Sequence, residues 1–191
     1  MEKKESAKER ILRVANELFY QEGVRAVGID RIILESEVAK ASFYRSFPTK
    51  DDLVVAYLEL HRMRSLAHVE EARERHPESA LDQLRFLMRR IAERMSRPSY
   101  RGCAFMNTIV EFPEIGHPCH RKALESRNHV WAVVESMAQE AGLPDPRELA
   151  EQLRMLWSGA AMVAYINKSE FKPETFSSAA LSLIDGQLNA G

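Results

Sequence analysis

The chain has 191 residues, 45% of them hydrophobic, and a formal net charge of -1 at pH 7. That is enough apolar material for one sizeable core, or for a small head joined to a larger body, and bulk charge does not mark it as a nucleic-acid binder. No apolar run approaches the roughly 20 residues a bilayer crossing needs, and the start MEKKESAKER lacks an apolar signal segment, so a cytoplasmic protein with no membrane partner is expected.

Along the chain, Ile11, Val14, Ala15, Leu18 and Phe19 recur at helical spacing, and Gly23 supplies a stop. Ile29, Ile32 and Ile33 mark a short second helix ending near Ser36 and Glu37, where Glu37 is expected to take an ordinary turn conformation. A third helix begins at about Ala39 and is closed by Pro48. Thr49 then opens a capping pattern with Asp52, and Asp51 and Asp52 suit the positive end of a long fourth helix running to about Arg75. Seven further prolines divide the remainder into helical stretches at about 78–97, 103–111, 119–141, 146–168 and 174–188. No strand pattern, repeat or flexible linker interrupts them. The expected class is all-α with about nine helices: a three-helix head, residues 1–48, joined rigidly through the fourth helix to a body, residues 49–191.

Charge is distributed unevenly between these parts. Residues 1–50 carry 10 Lys and Arg against 8 Asp and Glu, and residues 51–191 carry 17 against 20. On a 3.6-residue wheel Lys40, Ala41, Tyr44 and Arg45 share an arc of about 140°, with Ala39 and Phe43 opposite. The apolar side, with Val38 and Phe47, is expected to dock on the first two helices; the other side is left for a partner. This arrangement reads as a helix-turn-helix whose second helix enters the major groove of double-stranded DNA. Lys40 and Arg45 reach phosphates or base acceptors, Ala41 admits close approach, and the Ser42 and Tyr44 hydroxyls suit phosphate oxygens. Lys50, in the first turn of the fourth helix, opposes the helix dipole unless a phosphate sits beside it.

Residues 10–58, and above all VAKASFYRSFPTKDDL, resemble the DNA-binding head of the TetR family of transcriptional regulators. The resemblance covers about fifty residues in register. It implies a homodimer that usually represses and leaves its operator when a small-molecule effector enters the C-terminal body; no cofactor is expected. By position it implies DNA contacts from Lys40, Ala41, Ser42, Tyr44 and Arg45, backbone contacts from Thr49 and Lys50, and flanking contacts from Asp30 and Arg31. Two positions depart from the family's pattern: Glu37 stands where Gly is usual, and Gly28 where a capping Ser or Thr is common.

In the body, Leu149, Leu153, Leu156, Ala160 and Val163 recur by fours and threes, and Phe176, Ala180, Leu183 and Ile184 give the last helix a matching stripe. These two helices fit the four-helix dimer interface that the resemblance implies, while a purely intramolecular bundle stays open. Met88, Met95, Phe105, Met106, Trp131, Met155 and Tyr165 are candidate effector contacts, since methionine and aromatic side chains suit adaptable apolar recognition.

The stretch YRGCAFMNTIVEFPEIGHPCHR, residues 100–121, holds both cysteines, which give no disulfide framework and are expected to be free thiols. Cys103, His117, Cys119 and His120 offer the N and S donors of a metal or thiol sensor, but His117, Cys119 and His120 match no recognised zinc spacing, and turns between helices are the preferred account of the composition. An enzyme is not indicated: the chain has no Gly-rich phosphate loop, nucleophile elbow or HExxH. A protein-interaction module built on the apolar helix at 149–166 is the third reading.

Overall fold

The computed structural model describes residues 5–188, so the first four residues of the charged start lie outside the described part, as do residues 189–191. Among the described residues there are nine α-helices and no strand. They are α1 (Ala7–Glu22), α2 (Ile29–Ser36), α3 (Lys40–Ser46), α4 (Lys50–Arg75), α5 (Ala80–Met95), α6 (Ala104–Glu111), α7 (Pro118–Glu140), α8 (Pro146–Ile166) and α9 (Pro173–Leu188). The all-α expectation holds, with ends displaced by about two residues at most, the usual uncertainty of helix termini. Among the described residues no helix is long and apolar enough to cross a membrane.

The residues sort into two compact units, and the first is discontinuous: residues 1–61 together with 103–126. Its core starts from the apolar face of α1, where Ile11, Val14, Ala15, Leu18 and Phe19 are all buried. A complete capping box begins that helix, with the Glu9 N–H donating to Ser6 Oγ and the Ser6 N–H to Glu9 Oε2. α1 packs on α2 and α3, burying Ile32 and Phe43, and each such side chain contributes roughly 1.5–3 kcal/mol through burial. α4 adds Leu53, Val54, Tyr57 and Leu58, with Tyr57 meeting Phe19 edge-on at 5.6 Å.

The turn between α2 and α3 corrects two sequence expectations. Glu37 is left-handed, φ 52° and ψ 40°, and its N–H donates to the Ile33 and Leu34 carbonyls. The Val38 N–H also reaches Ile33 O, so the helix ends in a Schellman-type closure, which demands a left-handed residue whatever its side chain. Ala39, placed by the wheel on the packed side, is the exposed N-cap of α3. A cap lies outside the helical register, so the wheel does not govern its direction.

The second unit holds residues 62–102 and 127–191. α9 packs on α5 and α8 around Leu84, Met88, Leu149, Leu153, Phe176 and Ile184. The Arg85 guanidinium donates to Asp185 at 2.6 Å across α5 and α9, and Trp131 meets Trp157 edge-on at 5.8 Å.

Candidate nucleic-acid interface

α3 has seven residues and no side-chain cap, too little to persist alone, so tertiary packing must hold it. Phe43 does so: it is wholly buried and meets Phe47, also buried, at 6.4 Å. Lys40, Ala41, Tyr44 and Arg45 are all exposed on the opposite side, and Ser42 is half-buried. The Tyr44 ring stands edge-on to Phe43 at 5.3 Å, which braces it while the residue stays exposed. A rigid helix thus presents two cations, a methyl group and a phenol to whatever approaches.

The surrounding residues are less free. Arg31 donates two hydrogen bonds to Glu22, at 2.6 and 2.8 Å, and one to Glu35 at 2.7 Å. These bonds hold the Arg31 guanidinium pKa above its ordinary value and the Glu22 carboxyl below the usual carboxylate range. Asp30 is strongly exposed and lies 3.5 Å from Lys40 Nζ. Thr49 caps α4, its Oγ1 accepting from the Asp52 N–H at 3.1 Å and donating to Asp52 Oδ2 at 2.7 Å. Lys50 is half-buried with Nζ 5.9 Å over the Phe19 ring, and burial lowers its pKa despite the nearby Glu111 and Asp51 charges.

Glu111, named in the sequence only as part of an unusual stretch, has a definite task. Its two carboxylate oxygens accept from the Val24 N–H at 3.0 Å and the Arg25 N–H at 2.7 Å. Gly23, at φ 94°, starts this turn, and a Cβ there would meet the Glu111 carboxylate at 3.3 Å as well as straining the backbone. No local pattern reveals such a partnership across more than eighty residues.

Of the four residues read as possible metal or thiol sensors, His117 and Cys119 come together, joined by Asp51. Their donor atoms lie within 4.8 Å of one another, the three-donor group found among the described residues. Cys103 is a buried cap of α6, and His120 is buried with Nδ1 2.7 Å from the Phe112 carbonyl, which can only accept, so that nitrogen carries the proton. Burial pushes the Cys119 thiol up to about 12, with Asp51 adding to the shift.

The candidate effector residues fall in different settings. Met88, Met95 and Trp131 are in the core of the second unit, and Phe105 is buried and Met106 half-buried on α6 in the first. Met155 is exposed, and Tyr165 is partly exposed with the Arg101 guanidinium 5.0 Å over its ring. An open groove of about 650 Å³ between α5 and α9 includes none of these candidates; Arg89, Glu93, Ser177 and Asp185 line it together with Ala92, Pro173 and Leu181.

Of the stripe read as a dimer seam, Leu149, Leu153, Phe176, Ala180 and Ile184 are buried within the chain itself. Leu156, Ala160 and Leu183 are half-buried and Val163 is exposed. Spacing by threes and fours marks a core face and a seam alike, so periodicity alone does not separate them. The apolar residues exposed on α8 are Met155, Met162, Val163, Tyr165 and Ile166.

The exposed basic face on a packed three-helix head defines a helix-turn-helix regulator of transcription. Residues 11–57 match the family model of bacterial regulatory proteins, tetR family, and residues 80–180 match that of the tetracyclin repressor-like C-terminal domain. A TetR-family transcriptional regulator of known structure from Streptomyces coelicolor superposes with a TM-score of 0.83 at 36% identity, covering 96% of this chain and 95% of that one. Transcriptional regulator AcuR of Cereibacter sphaeroides is 28% identical over 176 residues, 88% of this chain and 79% of that protein. The HTH-type transcriptional repressor NemR of Escherichia coli is 25% identical over 175 residues, 87% of each chain. The chain belongs to the TetR family: it is a ligand-responsive, DNA-binding transcriptional regulator, and the family's members are regulators rather than enzymes.

Proposed function

We propose that this chain is a cytoplasmic, homodimeric repressor in which residues 1–48 read an operator and residues 49–191 bind a small-molecule effector and the second copy. The observation that carries the reading is the exposed set Lys40, Ala41, Tyr44 and Arg45 on a helix fixed by buried Phe43. Arg45 and Lys40 supply base and phosphate contacts, Ala41 lets the backbone approach the base edges, and Ser42 and Tyr44 position the helix through phosphates. Thr49 and Lys50 lie on the DNA backbone, with Lys50 leaving the Phe19 ring to do so. Asp30 and Arg31 flank the site, where a phosphate would compete with Glu22 and Glu35 for Arg31.

Two recognition helices must meet half-sites about 34 Å apart, which calls for a self-complementary surface. Met155, Met162, Val163 and Ile166 on α8, with half-buried Leu156, Ala160 and Leu183, supply apolar area for it. The effector sits among Met88, Met95 and Trp131 of the second unit and favours a state in which the two recognition helices no longer match successive major grooves. Only a difference in its affinity for the two states can shift that balance.

Fluorescence anisotropy with the DNA just upstream of the chain's own coding region, at two salt concentrations, tests the reading. Binding that weakens steeply with salt and survives nonspecific competitor is expected. Failure there, and in a selection from random-sequence DNA, would overturn it.

A further inference from the structure

We propose that Asp51, His117 and Cys119 form a binding site for a divalent transition metal of the Zn(II) class. The three donors come from two segments of the first unit, the first turn of α4 and the start of α7. A carboxylate, an imidazole and a thiol are a mixed set that the hard cations Mg²⁺ and Ca²⁺ do not favour and Zn(II) does. In a tetrahedral site with metal–ligand bonds of about 2.0–2.3 Å, donor atoms stand about 3.3–3.8 Å apart. Asp51 Oδ2 and His117 Nε2 are already 3.5 Å apart, and all three donors lie within 4.8 Å, so small rotations complete the triangle.

The donors are also oriented. The His117 ring stacks on Phe112 with centroids 4.6 Å apart, and the Cys119 N–H donates to its Nδ1 at 3.3 Å. In the neutral ring that leaves the proton on Nε2, the nitrogen facing Asp51. On binding, the Cys119 thiol proton is released, and the His117 proton moves to Nδ1, giving up the contact with the Cys119 N–H. The carboxylate and thiolate together balance the two positive charges of the ion. Lys50 opposes it electrostatically, and Glu111 lies close enough to act on Lys50 in turn. Cys119 is wholly buried while Asp51 and His117 are partly exposed, so the ion has an approach and a fourth position for water.

A bound ion would fasten the start of α4 to the start of α7. The site itself does not depend on the DNA reading; an effect on operator affinity does, because it rests on Thr49 and Lys50 beside Asp51.

Titrating Co(II) into the full-length, reduced protein without DNA tests the site. One equivalent should bind and give a sulfur-to-cobalt charge-transfer band in the near ultraviolet that Zn(II) abolishes. Cys119→Ser should remove the band, and His117→Ala should weaken binding about 100-fold or more, since even outer partners of metal ligands are worth 10–100-fold. Cys103→Ser should leave both unchanged, with far-ultraviolet circular dichroism confirming that each variant is folded. A wild-type protein with no thiolate band, or a band that survives Cys119→Ser, would overturn the proposal while leaving the operator reading intact.

Discussion

α3 and α8 leave opposite kinds of surface uncovered. α3 is short, is pinned by one wholly buried phenylalanine, and exposes Lys40, Tyr44 and Arg45. α8 is three times as long, has five buried residues, and still exposes Met155, Met162, Val163 and Ile166. A charged face in water costs little and waits for a polyanion; an apolar face in water is costly and waits for another apolar face. The contrast separates the proposed tasks of reading DNA and pairing with a second copy, and it can be broken from either side.

The largest effect is expected from α8. Replacing Met162 and Ile166 together by Glu should convert a dimer into a monomer in light scattering and lower operator affinity by about 100-fold or more, because a monomer engages one half-site. A dimer that persisted would move the pairing surface elsewhere. On α3, Arg45→Ala should leave the oligomeric state alone and cost about 1–3 kcal/mol of operator affinity if it contacts a guanine, with the loss confined to sites carrying that base. Lys40→Ala should instead weaken binding to all sequences and reduce the salt slope by about one.

Two smaller effects concern what holds α3 in place. Glu37→Gly should raise the unfolding free energy by up to about 1 kcal/mol in urea titration, because glycine adopts the left-handed conformation without the Cβ penalty. The Glu22 carboxyl is held below its ordinary value chiefly by hydrogen bonds from Arg31. A depressed carboxyl contributes stability above its unfolded pKa, and that contribution is lost as pH falls through the folded value. The gap in melting temperature between the wild type and Glu22→Gln should therefore be present at pH 7, start to narrow near the ordinary carboxyl value of 4.5 and close once pH is below the folded value.

Much of this was legible in the sequence, and the reasons for the rest are specific. Apolar periodicity, proline punctuation and the Thr49 and Asp52 cap are local signals, so the nine helices and the face of α3 could be read directly. Glu37 could not, because the conformation that closes α2 is set by the path of the chain and is unusual for glutamate. Leu149 and Leu153 could not be told from a seam, since a core and an interface use the same spacing. The meeting of Asp51 with His117 and Cys119 joins segments more than sixty residues apart, and no pattern within either segment encodes the partner.

The carboxylate of Glu111, bonded to amides 87 and 86 residues earlier, bears on how the molecule is made. During synthesis the turn after α1 emerges long before its acceptor, so the Val24 and Arg25 amides must wait on water until α6 has left the ribosome. The first unit is therefore finished late, although most of it is encoded first. A message cut after residue 61 would direct the synthesis of all of α1, α2 and α3 without Glu111, the acceptor that closes the turn after α1. The first unit thus has its closing pieces in residues 103–126, far downstream of the sixty-one residues that begin it.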